Sequence, residues 1–197
     1  HFMLKEIHEQ PAIINTIPNN LSDKLIEEIC EVIKKTQDIY FIGCGTAYHA
    51  CLAGGYLFSK IAGRHVFTAP ASEFNYLEDF LTKDSLIIPL SQSGETIDVI
   101  EPLNHAQKKG SKIITMTNAF ASTIYRMGDH KLLLGAGPEK AVASTKAYIA
   151  KISVLTILAY ALVNKLATGK KILRKAAKEI KRLLSKESIN QIKNIAS

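Results

Sequence analysis

Hydrophobic residues along the chain fall into short continuous runs, separated by segments with helical periodicity. The runs rich in Ile, Val and Leu predict strands at residues 39–44, 66–69, 85–90, 112–117 and 130–134. Helical spacing predicts helices or short helical pieces at 47–62, 71–76, 97–109, 122–127 and 142–166. Strands with continuous rather than alternating hydrophobicity are covered on both faces, so the pattern predicts a doubly wound α/β domain with a parallel sheet of about five strands.

Helical segments are also predicted on both sides of this alternating region. Two of them precede it, at residues 3–17 and 23–35, and we expect Pro11 and Pro18 to break the helix where they occur. After Gly169 the chain has apolar residues at helical spacing with charges between them. We therefore divide the chain into an N-terminal helical segment (1–35), a ligand-binding α/β domain (36–166) and a basic amphipathic helical tail (167–197).

The positive charge of the chain is concentrated in this tail. The net charge is +7, but residues 165–197 contain ten Lys and Arg against two Glu, which leaves the rest of the chain at −1. An amphipathic helix packed on a neighbouring element explains such a segment better than binding to nucleic acid or a membrane. The longest apolar-rich run, residues 152–163, is shorter than the roughly 20 residues that span a bilayer. We expect neither nucleic acid nor a membrane as a partner.

The cysteine content indicates the cellular compartment of the protein, and the first residue indicates whether the chain is part of a longer one. Cys30, Cys44 and Cys51 are too few and too unevenly spaced for a disulfide framework or a zinc site. Together with the absence of a signal-peptide pattern, they favour the reducing cytoplasm and predict no bound metal. The chain begins with His rather than Met. We therefore expect it to be a piece of a longer protein.

Polar, small residues follow three of the predicted strands, at 43–46, 91–96 and 135–146. In an open parallel sheet, ligands bind at the carboxyl ends of the strands, near the point where the strand order reverses. Gly43 and Gly45 lack the third glycine of a dinucleotide fingerprint, and the predicted second strand does not end in an acidic residue that could hold a ribose. A phosphate-binding GxxxxGK[ST] loop is also absent. We therefore expect no nucleotide cofactor, and no other cofactor is indicated.

The segment SQSGET, residues 91–96, has three hydroxyls, an amide and a glycine directly after a buried strand. Residues 95–97 are expected to open a helix whose free N–H groups point at the strand end, where the helix dipole favours an anion. Gly94 allows the backbone to approach closely, and Glu95 should direct its carboxylate away from that anion. An ordinary serine cap beside a glycine turn would account for only one of the hydroxyls. The segment therefore predicts a phosphate site.

The other candidate residues are better explained by structure than by chemistry. Cys44 at a strand end is expected to be buried, and His49 to be packed or capped. Lys146 could equally attract an anion or begin a solvated helix. No pair of carboxylates and no Ser-His-Asp set indicates an acid–base site. The catalytic residues of any reaction remain unknown from this sequence.

Four motifs together resemble a known family: CGTAYHA (44–50), ASEFNY (71–76), LSQSGETIDV (90–99) and VASTKAY (142–148). They are similar to the first sugar isomerase (SIS) domain of the glutamine:fructose-6-phosphate aminotransferases, or glucosamine-6-phosphate synthases. The opening HFMLKEIHEQP resembles the segment that joins the glutaminase and isomerase halves in that family. The resemblance extends from residue 1 to about residue 166.

The resemblance implies a binding site for fructose 6-phosphate or glucosamine 6-phosphate. The residues that would bind the phosphate are Ser91, Gln92, Ser93 and Thr96. Those that would contact the sugar are Thr46, Ala47, Val142, Ala143 and Ser144. The family commonly has serine where this chain has Ala47, so one hydroxyl contact to the sugar is missing here.

The resemblance also implies what lies outside this chain. The cysteine that hydrolyses glutamine lies upstream in that family, and the groups that act on the sugar lie in a second SIS domain and the C-terminal tail. We therefore expect the fragment to hold a sugar phosphate without catalysing a reaction, and to work with a glutaminase domain, a second SIS domain and a second copy in a homodimer. Two alternatives stay open, a stand-alone regulatory module that senses phosphosugars and a self-sufficient phosphosugar isomerase. For the isomerase, His49, His105 or Glu73 would be the available bases.

Overall fold

The central feature of the structure, a computed structural model that describes residues 1–196, is one sheet of five parallel strands. The strands are β1 (Asp38–Gly43), β2 (Phe67–Pro70), β3 (Ser85–Ser91), β4 (Lys112–Thr117) and β5 (His130–Leu133). Their order in the sheet is β2-β1-β3-β4-β5, and every neighbouring pair is parallel. The predicted doubly wound α/β fold is confirmed, and each strand begins and ends within one residue of the predicted run.

Helices connect and flank these strands. They are α1 (Phe2–Asn20), α2 (Asp23–Lys35), α3 (Thr46–Leu57), α4 (Ile97–Lys109), α5 (Thr123–Met127), α6 (Lys146–Leu162), α7 (Leu166–Leu183) and α8 (Lys186–Ala196). A π-helical turn (Phe58–Ala62) extends α3, and two 3₁₀ turns (Ala71–Tyr76 and Glu78–Phe80) follow β2. No helix within residues 1–196 is both long enough and apolar enough to cross a membrane.

Both faces of the sheet are covered, which explains the continuous hydrophobicity of the strands. In β1, Ile39 and Phe41 belong to a core cluster on one face, while Tyr40 and Ile42 belong to a second cluster on the other face. Helices α1, α2, α3, α6 and α7 contribute to the first cluster. Helix α4 packs on the second face through Val99 and Leu103, and α5 does so through Ile124. Alternate strand residues are therefore buried in two separate layers.

Helix α1 runs without interruption through Pro11 and Pro18, so the prediction that these prolines break it was wrong. A proline inside a helix removes a hydrogen bond and costs about 3 kcal/mol. Ile13, Ile14 and Ile17 of the same helix are buried in the first core cluster, and each such side chain contributes roughly 1.5 to 3 kcal/mol when it is buried. Packing of this apolar face therefore offsets the cost of the prolines.

Helix α6 is shorter than the predicted segment 142–166. Residues 142–145 lie in a loop, because the Glu139 carboxylate accepts the backbone N–H groups of Thr145 and Ala147 and so caps a helix that begins at Lys146. The helix ends at Leu162, and Asn164 adopts a left-handed conformation with φ of 59°. Helix α7 then packs on α1 and α6, with Leu173 and Ala177 in the core.

Candidate functional site

The strand order reverses between β1 and β3, and a crevice lies there at the carboxyl edge of the sheet. Helix α3 follows β1 on one face of the sheet and α4 follows β3 on the other, so the two helix beginnings diverge and leave room for a ligand. Gly43 ends β1 at this point. A Cβ atom there would lie 3.1 Å from the carbonyl oxygen of Leu90 and 3.0 Å from the carbonyl carbon of Ala47. Glycine therefore allows the start of α3 to approach the end of β3.

The segment Ser91–Thr96 folds into a tight loop at the end of β3. The buried Ser91 Oγ accepts the backbone N–H of Gly94 at 2.9 Å and lies 3.1 Å from Thr96 Oγ1. Gly94 has a φ of 70°, and a Cβ atom there would lie only 1.9 Å from Ser122 Oγ. The Gly94 carbonyl also accepts the N–H of Ile124 at 2.9 Å. Only glycine fits this turn, which anchors the loop to the start of α5.

Helix α4 covers the predicted segment 97–109, but it does not include residues 95 and 96, which we expected to help open it with free backbone donors. Its first residue is Ile97 and Thr96 precedes it, so Glu95 does not belong to the helix. The Glu95 N–H donates to Ser93 Oγ at 3.2 Å instead of pointing at the strand end. The physical reason is the left-handed turn at Gly94, which directs the N–H groups of residues 94 and 95 onto the serine hydroxyls.

Several donors nevertheless face the end of β3. The Ser93 hydroxyl is exposed and, although its oxygen accepts from Glu95, its proton can be donated to an anion. Ser91 and Thr96 share one hydrogen bond between their hydroxyls, which leaves the second hydroxyl proton available. The first N–H groups of α4 have no partner within the helix, as in any helix. Neutral donors and a helix N-terminus therefore surround the position where a phosphate could bind.

Glu95 is tied to the start of α5. Its Oε1 accepts the N–H of Thr123 at 2.9 Å. The hydrogen bonds from the side chain and then the backbone of Thr123 lower the pKa of Glu95, and the charge of Arg126 adds a smaller effect in the same direction. This contact holds the Glu95 carboxylate at the start of α5.

The loop between β1 and α3 forms the other wall of the crevice. Gly45 has a φ of 54°, Thr46 is exposed, and Ala47 is buried beside Gly43. Cys44 Sγ lies 3.8 Å from Asp98 Oδ2 of α4, and so links the two walls. Burial, followed by the charge of Asp98, raises the pKa of the Cys44 thiol. The thiol therefore stays protonated near neutral pH and is a poor nucleophile.

The third predicted segment, residues 135–146, is held by side chains from two directions. Asn118 donates its amide to the carbonyl of Gly137 at 2.8 Å and accepts the N–H of Ala136 at 2.9 Å. Ser144 Oγ donates to Glu139 Oε2 at 2.8 Å. Val142 is fully exposed. We did not anticipate Glu139 from the sequence, although a glutamate shortly before a helix is a recognisable capping signal.

Packing between α3 and α6 brings this segment to the same edge of the sheet as Thr46 and Ala47. A Cβ atom on Gly54 of α3 would lie 2.6 Å from Leu155 Cδ1 of α6. Cys51, three positions before Gly54, lies within electrostatic range of Lys151, which is four positions before Leu155. The matched spacing means that the two helices run in the same direction. Their N-terminal ends, and the loops that precede them, therefore lie on the same side of the molecule.

The candidate bases His49, His105 and Glu73 are not gathered into one acid–base site within residues 1–196. His105 contacts Glu78 and lies in the second half of α4, away from the crevice, while His49 and Glu73 are exposed. A groove of about 740 Å³ lies between α1 and α7 rather than at the strand ends. Within residues 1–196 no cluster of three or more His, Cys, Asp or Glu residues is arranged to hold a metal ion.

Comparison with known proteins identifies one family model and a set of close relatives. Residues 32–161 match the SIS domain. The chain is 45% identical over 166 residues to a glutamine--fructose-6-phosphate aminotransferase [isomerizing] of Clostridium tetani, and 47% identical over 163 residues to the protein of the same name from Staphylococcus aureus. These matches cover 81% and 80% of this chain but 27% of each relative, so the chain spans about a quarter of their length.

A solved structure agrees with these relatives. The C-terminal domain of glucosamine-fructose-6-phosphate aminotransferase from Francisella tularensis superposes with a TM-score of 0.74 at 30% identity. The superposition covers 93% of this chain and 53% of the solved chain. The resemblance predicted from the sequence motifs is confirmed.

Proposed function

Because this chain belongs to the SIS domain family, we propose that it binds the phosphate of fructose 6-phosphate or glucosamine 6-phosphate at the crevice between β1 and β3. The phosphate would accept hydrogen bonds from the side chains of Ser91, Gln92, Ser93 and Thr96. The N-terminus of α4 adds a favourable electrostatic field. The loop geometry supports this proposal, since Gly94 wraps the backbone around Ser91 and keeps two hydroxyls within 3.1 Å of each other at the strand end.

The sugar would lie across the crevice from this phosphate. Its proposed contacts are Thr46, Ala47, Val142, Ala143 and Ser144. Ser144 already donates its proton to Glu139, so its oxygen is available to accept a hydrogen bond from a sugar hydroxyl. The parallel packing of α3 and α6 supports this arrangement, because it brings both loops to one edge of the sheet.

The intact protein is proposed to be a glutamine:fructose-6-phosphate aminotransferase. In that reaction ammonia from glutamine replaces the C2 carbonyl oxygen of the ketose, and a proton moves from C1 to C2 to give the aldose amine. The identity to relatives of that name supports the activity. The chain would contribute the phosphate anchor, while a glutaminase domain and a second SIS domain supply the reacting groups.

The SQSGET loop at the strand reversal is the observation that carries the proposal, and a titration tests it. We expect glucosamine 6-phosphate to bind the parent chain in a calorimetric experiment, and Ser93→Ala to weaken binding by about 1 to 3 kcal/mol, the scale of a hydrogen bond to a charged group. Ser93 is exposed and its hydroxyl makes no contact with the core, so the variant should fold normally.

A serine beyond the C-terminal end of α3, away from the proposed site, provides the matched control. Ser59 is exposed in the π-helical turn that follows α3, so it lies far from the carboxyl edge of the sheet. Ser59→Ala should bind glucosamine 6-phosphate as the parent chain does. Equal affinities for Ser93→Ala and the parent would show that the ligand is held elsewhere.

We also propose that the protein is cytoplasmic and forms a homodimer. Cys30, Cys44 and Cys51 are all free thiols, which agrees with a reducing compartment. SIS domains associate through helices, and closed two-fold symmetry is the usual outcome for such contacts. Sedimentation equilibrium over a range of concentrations measures the assembly state directly.

A further inference from the structure

Two glutamates of α1 reach across to the loop that precedes α6. Glu6 is only 3% exposed, and its Oε1 accepts the backbone N–H groups of Lys140 at 2.6 Å and Ala141 at 3.3 Å. Its second oxygen lies 3.3 Å from the Ala141 nitrogen. These bonds join residues that are 134 and 135 positions apart in the sequence.

Glu9 lies one helical turn further along the same face of α1. Its Oε2 is 2.6 Å from Lys146 Nζ, and the Lys146 residue is only 4% exposed. The hydrogen bond from Lys146 lowers the pKa of Glu9. A nearby cation–π contact, between Lys140 Nζ and the ring of Phe2 at 5.2 Å, also joins α1 to this loop.

These charged contacts carry a desolvation cost, although α1 is already anchored by apolar packing. Removing a carboxylate or an ammonium group from water costs several kcal/mol, and apolar groups of similar volume stabilise a fold at least as well. Ile13, Ile14 and Ile17 already bury the apolar face of α1. The polar contacts therefore contribute mainly direction and position, since hydrogen bonds to backbone N–H groups fix the path of the loop.

The anchored residues lie on either side of the segment proposed to contact the sugar. Glu6 holds residues 140 and 141, Glu9 holds residue 146, and residues 142–144 lie between these points. Glu139 fixes the segment from within through Ser144 and the N–H of Thr145. The exposed tip of the loop is therefore short and restrained at both ends.

We propose that Glu6 and Glu9 are positioning residues that set the geometry of residues 142–144 for the sugar. This inference rests on the proposed function, in which those residues contact the sugar while the SQSGET loop holds the phosphate. The position of α1 and the affinity for the sugar are then coupled. Any interaction that shifts α1 changes sugar binding, and by linkage sugar binding changes that interaction to the same extent.

Comparing two ligands separates positioning from general destabilisation. Glucosamine 6-phosphate uses both parts of the site, whereas inorganic phosphate uses only the SQSGET loop. We expect Glu6→Gln and Glu9→Gln each to weaken glucosamine 6-phosphate binding roughly tenfold, in proportion to the loss of a charged hydrogen bond. Binding of inorganic phosphate, followed by ³¹P NMR, should stay within about twofold of the parent.

Glu28→Gln is the matched control, because Glu28 lies on α2 and pairs only loosely with Lys24 at 4.0 Å. It should leave both affinities unchanged. Glu9→Gln keeps the test decisive if Glu6→Gln fails to fold, because the Glu9 side chain is 35% exposed. Unchanged affinity for glucosamine 6-phosphate, or an equal loss for both ligands, would overturn the positioning role. Failure of the parent chain to bind either ligand would instead overturn the proposed function, and the positioning role with it.

Discussion

Lys151 is the most unusual side chain of the core. It lies on α6, is only 1% exposed, and has Cys51 and Glu139 as its electrostatic neighbours. Burial lowers the pKa of Lys151 to about 8, although the charge of Glu139 acts in the opposite direction. At neutral pH the folded protein therefore keeps an ammonium group in an apolar environment. This arrangement costs stability, because the unfolded chain solvates the same charge freely.

The cost of Lys151 predicts a pH dependence of stability. Because the native pKa of about 8 lies below the unfolded value, the penalty is fully present below pH 8. It disappears as the pH rises toward 10.5, where the unfolded chain also loses its proton. The difference corresponds to about 3 kcal/mol. Lys151→Met should raise the free energy of unfolding in urea at pH 7, and this gain should shrink as the pH approaches 10.

Lys171→Met provides the control for this measurement, since Lys171 is exposed on α7. Its free energy of unfolding should follow that of the parent at every pH. A constant difference between Lys151→Met and the parent across this range would mean that folding does not lower the pKa of Lys151.

Individual residues differ in how far the sequence could predict them. The need for glycine at position 94 follows from local turn chemistry, and the positive φ confirms it. Glu139 has backbone partners only six and eight positions further along the chain, so the sequence does carry a local capping signal for it. Glu6 could not be assigned in this way. Its partners are backbone N–H groups of residues 140 and 141, which reach it only after α1 has packed, and a single sequence contains no signal for such contacts.

Among the elements, α7 shows how an amphipathic helix is anchored. Its apolar face carries Leu173, which is 5% exposed and packed in the first core cluster. Leu183, at the end of the same helix, is 58% exposed. Lys170 adds an ion pair with Asp23 at 2.7 Å. The basic residues thus cover the outer face of a helix whose inner face is part of the core.

Two leucine substitutions test this arrangement. Leu173→Ala should lower the free energy of unfolding by about 2 to 4 kcal/mol, because it removes buried surface and leaves a cavity. Leu183→Ala should change it by less than about 0.5 kcal/mol, since exposed substitutions have small effects and alanine keeps the helix propensity. Equal small effects in chemical denaturation would mean that α7 does not depend on the core for its position.

Elements buried on both sides were the easiest to predict. The strands follow from continuous apolar runs because a parallel sheet buries both faces, and all five lie where the pattern placed them. The course of α1 through Pro11 and the start of α6 at Lys146 were missed. In α1 the tertiary packing of isoleucines outweighs the local preference, and in α6 the local cap from Glu139 fixes where the helix begins.

At the scale of the whole molecule, topology accounts for the site. The order β2-β1-β3-β4-β5 creates a reversal between the first and third strands, and the polar SQSGET loop follows β3. The rule that ligands bind at such reversals points to this loop as the candidate site from the sequence alone. The contact of α1 with the loop before α6 could not be predicted in the same way, because it joins residues more than 130 positions apart.

The same geometry predicts that the chain binds a sugar phosphate without converting it. The crevice offers neutral donors and restrained loops, while the candidate bases are exposed, as His49 is, or lie elsewhere, as His105 does. Isomerisation needs a base within hydrogen-bond reach of the proton on C1 or C2. Fructose 6-phosphate incubated with the chain in D₂O should therefore show no deuterium at either carbon by NMR. Calorimetric binding of glucosamine 6-phosphate by the same sample is the control for a competent site. Rapid exchange that disappears in His49→Ala would contradict the prediction and would identify a base within this chain.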